Sequence, residues 1–396
     1  MTTLTQLIEQ YCPNGVEYVR LGDVAEIARK TCQPARMGAG SVVLYSLPSF
    51  DRGEPESIDP TDIKSGKTIL AKPSLLVPKL NPRKPRVWLV EEPSPRSYCS
   101  TEFFPIQADN SSLSLSYLYY VICDTISELA FLVDGGSNSH KRLNRDIYLD
   151  FVFPLPPREV QDAIVERLDA FAKLIESLDS EISLREKRFE YFREQLLTFD
   201  ESDGVEYVKL GEVGSITRGR GLTKKDLRAQ GTPAIHYGQI YTYYGDSTSS
   251  TTSFVAPELT EKLTRVDPGS AIVACTSENI EDLGKSTVWL GQSPVFTGLH
   301  TLVFEHQMEP MYVGHWLRTY SFFRQKLSVS YGTKVLELSA KAFSEILIPL
   351  PSLEIQRDIA DKLDTMQALI DNLKHERELR RTQFEYYREK LLTFNS

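Results

Sequence analysis

The sequence is poor in the features that mark a membrane, secreted or metal-binding protein. Its five cysteines are scattered and never form a Cys-x-x-Cys pair, so neither a disulfide framework nor a thiolate zinc site is indicated. No apolar run approaches the roughly 18 residues of a spanning helix. The N-terminus has neither the basic start nor the apolar core of a secretion signal. These absences predict a cytoplasmic protein with no membrane partner.

Enzyme signatures are also missing. The chain contains no P-loop, no Gly-x-Gly-x-x-Gly and no Gly-x-Ser-x-Gly, and its six histidines form no His-Glu-x-x-His motif. An Asn- or Asp-Pro-Pro-aromatic tetrapeptide, with which an amino-methyltransferase would hold a flipped base, is absent as well. The sequence therefore predicts that the chain is not an enzyme and has no catalytic residue, metal or cofactor of its own.

The chain does contain a duplication. Gly15–Val24 recurs as Gly204–Val213, 189 positions later, and Pro154–Asp200 recurs as Pro349–Asn395, 195 positions later. The sequences between these copies show no convincing similarity to each other. Such a repeat indicates two units whose frames are alike and whose bodies differ.

Each copy of the longer repeat predicts a long helix. Prolines, which are tolerated at a helix start, precede about 42 residues without Pro or Gly. Apolar residues then recur at alternating spacings of four and three, as in the a/d seam of a coiled coil. We expect two helices, each about 60 Å long, that pair through the seam residues Ile164, Leu168, Phe171, Ile175, Leu178, Ile359, Leu363, Met366, Ile370 and Leu373.

Arg185 and Arg380 interrupt this seam at matched positions. The favoured interpretation is that their guanidinium groups extend to solvent along their own apolar stems. The alternative is that they set the register by pairing with acidic residues beside the seam.

The bodies combine short strand-like runs with helical patterns, such as those of residues 115–133 and 310–326. The expected fold class is α+β: two globular α/β domains joined by two long antiparallel coiled-coil helices in a pseudo-two-fold repeat. The expected division is a first domain (1–153), a first long helix (154–200), a second domain (201–348) and a second long helix (349–396).

The net charge argues against a nucleic-acid partner at first sight, because 54 acidic residues face 45 basic ones. More than half of the net acidity lies on the predicted helices, and basic residues cluster in the bodies. No acidic residue occurs from Ile63 to Val90, a segment that includes the proline-rich basic stretch Pro78–Arg86. Lys and Arg neutralise phosphates and glycine lets the backbone approach DNA, so such clusters are candidate DNA contacts. A solvated surface is the ordinary explanation of any single one.

Several motifs resemble one known family, the specificity subunit of type I restriction-modification systems. They are Pro154-Leu155-Pro156 with Glu159, Gln161, Ile164, Leu168 and Asp169, its copy from Pro349 to Asp364, the opening Tyr18–Val24, the segment Gly219–Asp226 running into Tyr237-Gly238-Gln239-Ile240, and Gly135-Gly136-Ser137 leading to Lys141–Asn144. The first body lacks a clear counterpart of the Gly-Gln-Ile element.

The resemblance implies two target-recognition domains, each reading one half of a bipartite, asymmetric site in double-stranded DNA. The helices would act as a spacer and as the platform for two methyltransferase subunits. Those partners would bind S-adenosylmethionine and methylate adenine N6. Up to two restriction subunits would add cleavage that depends on ATP and magnesium.

The candidate DNA contacts are basic residues of the clusters together with two side chains of the Gly-Gln-Ile element. Arg and Gln make bidentate contacts to guanine and adenine edges. In the first body they are Lys79, Arg83, Lys84, Arg86, Lys141 and Arg142, and in the second Arg218, Arg220, Lys224, Lys225, Tyr237, Gln239 and Lys334.

Two other functions stay open at this point. A coiled-coil scaffold that binds no DNA would explain the repeat but not the basic loops. A DNA-recognition chain of a fused restriction-methylation system, of the type IIB or IIG kind, would explain the loops but would need a catalytic domain, for which two bodies and two helices leave no room.

Overall fold

The computed structural model describes residues 4–79, 86–108, 111–131 and 143–394. The chain forms two compact units: unit 1 is Met1–Leu178 with Glu376–Ser396, and unit 2 is Asp179–His375. This division differs from the expected sequence of body, helix, body and helix, because each long helix contributes one part to each unit.

Unit 1 is built from short strands and short helices that precede the first long helix. The helices are α1 (Leu4–Tyr11), α2 (Leu21–Val24), α3 (Leu47–Arg52), α4 (Leu115–Phe131) and α5 (Arg145–Leu149). The strands are β1 (Tyr18–Arg20), β2 (Ala25–Ile27), β3 (Thr31–Cys32), β4 (Val42–Tyr45), β5 (Glu56–Ile58), β6 (Lys67–Ile69), β7 (Ser74–Pro78), β8 (Trp88–Val90), β9 (Ser97–Cys99), β10 (Phe103–Ala108) and β11 (Val152–Pro154).

The first long helix, α6 (Arg158–Leu196), is followed by the body of unit 2. Its helices are α7 (Leu210–Val213), α8 (Tyr237–Thr242), α9 (Pro310–Trp316), α10 (Tyr320–Val329) and α11 (Ala340–Ser344), before the second long helix α12 (Leu353–Thr393). Its strands are β12 (Glu206–Lys209), β13 (Gly214–Arg218), β14 (Thr232–Ile235), β15 (Ser247–Thr248), β16 (Ser253–Val255), β17 (Thr264–Val266), β18 (Ala271–Ala274), β19 (Thr276–Ser277), β20 (Ser286–Trp289), β21 (Val295–Thr297), β22 (Thr301–His306), β23 (Leu336–Glu337) and β24 (Leu347–Leu350).

The two units share one strand order although their bodies have no convincing sequence similarity. The sheet β2-β10-β7-β8 of unit 1 corresponds to β13-β22-β18-β20 of unit 2, which β15 extends. The order β6-β9-β4-β5, extended by β3, corresponds to β17-β21-β14-β16. In both units the central pair of this second sheet is parallel and its neighbours are antiparallel. The common topology is the mixed α/β fold expected, present twice.

The repeated sequence segments close each unit in the same register. Tyr18 lies opposite Pro154 in the β1-β11 pair, and Tyr207 lies opposite Pro349 in the β12-β24 pair. Fully buried central strands supply much of each core, since all residues of β7 and of β18 are buried. Their continuous apolar runs are typical of strands covered on both faces.

The similarity extends further into the bodies than the sequence suggested. The buried Tyr117 hydroxyl of α4 donates to the Pro154 carbonyl at 2.9 Å, and the buried Tyr312 hydroxyl of α9 donates to the Pro349 carbonyl at the same distance. These tyrosines are 195 positions apart, so the repeat includes the helix that packs on the start of each long helix. Too few identical side chains surround them for the sequence to reveal it.

The helix predicted for residues 310–326 is two helices, α9 and α10. Thr319 lies between them, where its hydroxyl accepts a hydrogen bond from the Phe322 backbone at 3.3 Å and donates one to the Trp316 carbonyl at 2.8 Å. This residue therefore caps α10 at its N-terminus and provides a hydrogen-bond donor for a carbonyl at the end of α9. The apolar periodicity runs across the break and concealed it.

Candidate nucleic-acid interface

In unit 2, the end of β13 lies directly against the loop between β21 and β22. A Cβ on Gly219 would stand 2.0 Å from the Gly298 carbonyl oxygen, and a Cβ on Gly298 would stand 2.1 Å from Leu222 Cβ. Only glycine permits this approach. The Gly219 backbone N–H also donates to the Thr301 carbonyl at 2.9 Å. The Arg-Gly-Arg-Gly segment is thereby held beside this loop.

Arg218 is half-exposed and forms an ion pair with Glu337 at 2.6 Å. The hydrogen bond to this carboxylate raises the pKa of the Arg218 guanidinium. Since Glu337 already neutralises one charge, Arg218 would bind a phosphate in exchange for, or together with, this carboxylate. Arg220, by contrast, is exposed just beyond the strand.

Lys224, Lys225 and Lys334 are exposed on turns of unit 2. The turn with the first two is held by Asp226, whose carboxylate accepts from the Thr223 backbone at 2.8 Å and from the Thr223 hydroxyl at 2.6 Å. These hydrogen bonds lower the pKa of Asp226, so the carboxylate stays charged and the turn stays closed. Two lysines are thus presented on a defined loop.

Tyr237 and Gln239 lie in the first turn of α8. The Tyr237 ring packs against His236 and His300, with centroids 4.5 and 4.8 Å away. The Gln239 amide caps its helix: Oε1 accepts from the His236 backbone at 3.0 Å, and Nε2 donates to the Ser253 hydroxyl at 2.7 Å. Gln239 therefore acts in local structure, and it could contact a base only by exchanging these bonds.

His300 is the functional candidate that sequence reasoning missed. In the sequence it is only one of six histidines without a metal-binding motif. In the structure it belongs to the loop cluster of unit 2, which consists of residues 218–225 and 298–300. It lies beside Tyr237 and is bonded through Nδ1 to the Thr276 hydroxyl at 2.9 Å. The sequence signal was weak, since Gly298-Leu299-His300 is a short loop without a basic run.

In unit 1, both described ends of the proline-rich basic stretch are tied to the body. The Lys79 ammonium donates to the Thr101 carbonyl at 2.6 Å and lies 4.3 Å from the centre of the Phe104 ring. Arg86 forms a bidentate ion pair with Asp51, with both distances at 2.8 Å, which raises the pKa of its guanidinium. The predicted contacts between and beyond them, Arg83, Lys84, Lys141 and Arg142, lie outside the described residues.

Unit 1 has a structural counterpart of the Gly-Gln-Ile element that the sequence did not reveal. Helix α3 follows β4 just as α8 follows β14, each strand being the one that pairs in parallel. Ser46 and Ser49 cap α3 reciprocally, as His236 and Gln239 cap α8. Ser and Gln supply the same capping geometry with different atoms, so the correspondence lies in backbone structure rather than residue identity.

A sequence profile described as a type I restriction modification DNA specificity domain matches residues 13–184 and, a second time, residues 202–380. The chain belongs to this family. Its role is DNA recognition in a type I restriction-modification system, as the resemblance implied.

Named relatives agree with this assignment. The type I restriction enzyme EcoR124I/EcoR124II specificity subunit of Escherichia coli is 26% identical over 299 residues, which are 72% of each chain. The MjaVIII specificity subunit of Methanocaldococcus jannaschii is 22% identical over 301 residues, covering 70% of this chain and 69% of that one.

Solved structures share the fold. The S subunit of a type I restriction-modification system from M. genitalium superposes with a TM-score of 0.58 at 15% identity, covering 97% of this chain and 98% of that chain. A chain from a study of complex assembly and conformational transition of the type I R-M system gives a TM-score of 0.63 at 19% identity, covering 96% and 98%. At these identities the likeness concerns the fold alone.

This specificity subunit also has a basic groove in unit 1 that was not among the predicted sites. Arg29, Lys30 and Lys72 are exposed and, with Arg145, line an open groove of about 650 Å³ beside the edge strand β2. The cations come from separate segments of the chain, so no cluster is visible in the sequence. Glu26, on the same wall, reduces the local charge.

The predicted seam residues of the specificity subunit divide into two groups by burial. Six are buried: Ile164, Leu168, Leu178, Ile359, Leu363 and Ile370. Four are half-buried: Phe171, Ile175, Met366 and Leu373. Several seam positions therefore pack on the bodies, since Ile164 and Leu168 share a core with α4 and Ile359 and Leu363 share one with α9.

Neither a metal site nor a membrane span is found in the part of the chain that the structure describes. No group of three or more His, Cys, Asp or Glu side chains there could hold a metal ion. No helix there is both long and apolar enough to cross a bilayer.

Proposed function

We propose that each unit reads one half of a bipartite, asymmetric DNA site, and that the chain performs no catalysis itself. The observation that carries this proposal is the common strand order with different side chains at equivalent loops. The loop after β9 binds Lys79 through the Thr101 carbonyl, whereas the corresponding loop after β21 binds Thr276 through His300. A shared backbone fold can approach the same DNA geometry twice, and different side chains on its loops can recognise different bases.

The predicted DNA contacts of unit 2, apart from the ion-paired Arg218, fall into two classes. Arg220, Lys224, Lys225 and Lys334 are exposed cations that suit phosphates. Tyr237 and Gln239 lie on the helix beside the loop cluster and suit positioning of that cluster. In unit 1, Lys79 and Arg86 hold the ends of the stretch that contains Arg83 and Lys84, which we propose contacts DNA.

We further propose that α6 and α12 pair as an antiparallel coiled coil. In unit 1, Phe171 of α6 stacks on Tyr387 of α12 with ring centroids 5.6 Å apart. In unit 2, Glu186 of α6 pairs with Lys374 of α12 at 2.7 Å. Going forward along α6 from Phe171 to Glu186, the partner moves back along α12 from Tyr387 to Lys374, as antiparallel pairing requires.

The duplicated helices are proposed as the binding places for two methyltransferase subunits. Exposed apolar residues occur in pairs 195 positions apart: Leu174 with Leu369, Leu184 with Leu379 and Tyr191 with Tyr386. Two equal sets of exposed apolar side chains suit two copies of one partner. S-adenosylmethionine would be bound by these partners, and ATP and magnesium by restriction subunits.

The test is methylation sequencing with the chain and its methyltransferase partner. We expect adenine methylation at a bipartite site, and a combined R218A, R220A and K224A variant should weaken DNA binding by the complex and lower its dependence on salt. Removing one phosphate-binding cation should reduce the slope of log affinity against log salt by about 0.9. The R83A and K84A variant should act in the same direction through unit 1.

The control is K341A, which removes an exposed cation of α11 outside the loop cluster. It should leave affinity and salt dependence unchanged. Methylation without a bipartite preference, or DNA binding that is equally affected by K341A, would contradict the proposal and favour the scaffold function.

A further inference from the structure

The loop Gly298–His300 joins β21 to β22 in unit 2, and His300 has a backbone φ of +70°. Apart from Phe394, no other non-glycine residue in the described ranges has a positive φ. Histidine adopts this region more often than most residues, but the conformation still carries strain. Such a residue persists only where its surroundings hold it in place.

Three contacts hold His300. The Cys275 backbone N–H donates to the His300 carbonyl at 2.9 Å. The ring Nδ1 shares a hydrogen bond of 2.9 Å with the Thr276 hydroxyl, and the Tyr237 ring packs against the imidazole at 4.8 Å between centroids. Despite these contacts His300 is exposed. Among the described residues its ring is hydrogen-bonded through Nδ1, which leaves Nε2 without a partner there. The ring is therefore fixed in position while one nitrogen stays available.

The surroundings of this loop suit DNA. Gly219 brings Arg218 and Arg220 against it, through the close approach to Gly298 described above. Leu299, next to His300, is 44% exposed and offers an apolar surface at the same place. Two arginines thus flank a short loop that ends in one apolar and one polar side chain.

We propose that His300 reads a purine in the half-site contacted by unit 2, with Leu299 making an apolar contact beside it. This inference rests on the proposed function. When the Thr276 hydroxyl donates to Nδ1, the ring proton is on Nε2, which can donate to the N7 acceptor of a purine in the major groove. The equivalent loop of unit 1, Ser100–Glu102, has no histidine, so the two half-sites would be read differently at this place.

The test uses the complex with its methyltransferase partner and a DNA library randomised in both half-sites. H300G removes the ring, and glycine accepts a φ of +70° without strain. We expect preference at one purine position of one half-site to fall about tenfold, as is usual when a base-reading hydrogen bond is removed, while preference in the other half-site is unchanged. The protein should stay folded, because glycine adopts this backbone conformation and the Cys275 N–H can still donate to the carbonyl of residue 300.

A 7-deazapurine probe tests the contact atom. Replacing the selected purine by its 7-deaza analogue should weaken binding of the wild-type complex about tenfold and should not weaken binding of the H300G complex further. H300N, which tolerates the same backbone conformation, separates loss of the ring from change of the backbone. H375A removes an exposed histidine of α12 and serves as the matched control.

Unchanged purine preference in folded H300G, or equal loss of preference in both half-sites, would overturn the inference. Equal sensitivity of wild type and H300G to the 7-deaza probe would also overturn it. If the wild-type complex selects no bipartite site at all, the proposed function fails instead, so the two failures are distinguishable.

Discussion

At the scale of single residues, Tyr120 and His315 show how one position can be used in two ways. They are 195 positions apart, and each contacts the equivalent aspartate of a long helix: the Tyr120 hydroxyl donates to Asp169 at 2.5 Å, and His315 Nε2 lies 2.8 Å from Asp364. The tyrosine hydroxyl stays neutral near pH 7, whereas the histidine ring can take up a proton and become positively charged. Of these two residues, only His315 of unit 2 can therefore act as a buried proton switch.

Burial lowers the pKa of His315, but hydrogen bonding and charge from Asp246 and Asp364 outweigh it and raise the pKa above its ordinary value of 6.5. The Asp246 carboxylate lies 3.5 Å from Nδ1 and is also paired with Arg318 at 2.6 Å. A raised pKa in the folded state means that the protonated histidine stabilises unit 2. This contribution is complete below about pH 6.5 and is lost as the pH rises through the folded-state pKa.

Between about pH 6 and 8 the loss of the His315 contribution lowers the thermal midpoint, whereas His306 and His236, whose pKa values burial lowers, act in the opposite direction. We therefore expect the thermal midpoint of H315Q to increase with pH more than that of the wild type over this range. Lys326, whose pKa burial lowers to about 8, contributes with the opposite sign at higher pH, so the measurement should end at about pH 8. Calorimetric scans of both proteins at matched salt provide the comparison. Parallel slopes in wild type and H315Q would contradict the assignment.

At the scale of elements, the long helices begin where buried glutamines fasten them. Gln356 Oε1 accepts from the Glu309 backbone at 3.0 Å, and its Nε2 donates to the Pro351 carbonyl at 2.8 Å. Gln161 makes the equivalent bonds to Ser114 and Pro156 in unit 1. Each amide thus connects the proline turn, the packing helix and the long helix. This explains why the glutamine is present in both copies.

Replacing either glutamine by alanine should be costly. Q356A leaves a backbone N–H and a carbonyl without partners in the core, which should lower the free energy of unfolding by about 1–3 kcal/mol. Q161A should have a similar effect in unit 1. Q195A, at an exposed position of α6, is the matched control and should stay within about 0.5 kcal/mol of wild type. Chemical denaturation measures all three, and a neutral Q356A would show that water satisfies these groups.

Each of the two seam arginines forms an ion pair within its own helix. Arg185 pairs with Glu181 at 2.6 Å, and Arg380 pairs with Glu376 at 3.4 Å, each four residues earlier in the same helix. Such partly exposed pairs contribute about 0.3–0.5 kcal/mol. These contacts favour the solvent-directed interpretation over a register-setting role, which charge reversal at either arginine would test.

At the scale of the whole molecule, the chain is one fold used twice with different loop chemistry. The proposed antiparallel pairing of its helices is testable through Glu186 and Lys374, which are close enough for a zero-length carbodiimide to join. We expect an intramolecular cross-link between the peptides that contain them, and its loss in E186Q. A cross-link found only in dimers would show that the pair forms between chains and would contradict the proposal.

The duplication, both long helices, the mixed α/β character of the bodies and the family could be predicted from the sequence. Those features depend on local periodicity, on the positions of prolines and on repeated sequence segments. Only the folded chain shows the break between α9 and α10, because the apolar periodicity runs across it. The matching topology of the bodies and the counterpart of α8 also appear only in the fold, because different side chains can form the same order of strands.

The candidate site divides in the same way. Neighbouring basic residues such as Lys224 and Lys225 can be recognised in the sequence, which therefore predicts them as contacts. His300 and the groove around Arg29 and Lys72 were not, because their parts come from separate segments that only the folded sheets bring together. Conversely, Gln239 and Arg86 have the right chemistry for DNA, but folding engages them in a helix cap and an ion pair. Hydrogen-bond partners are assigned by three-dimensional contact, which a linear sequence does not specify.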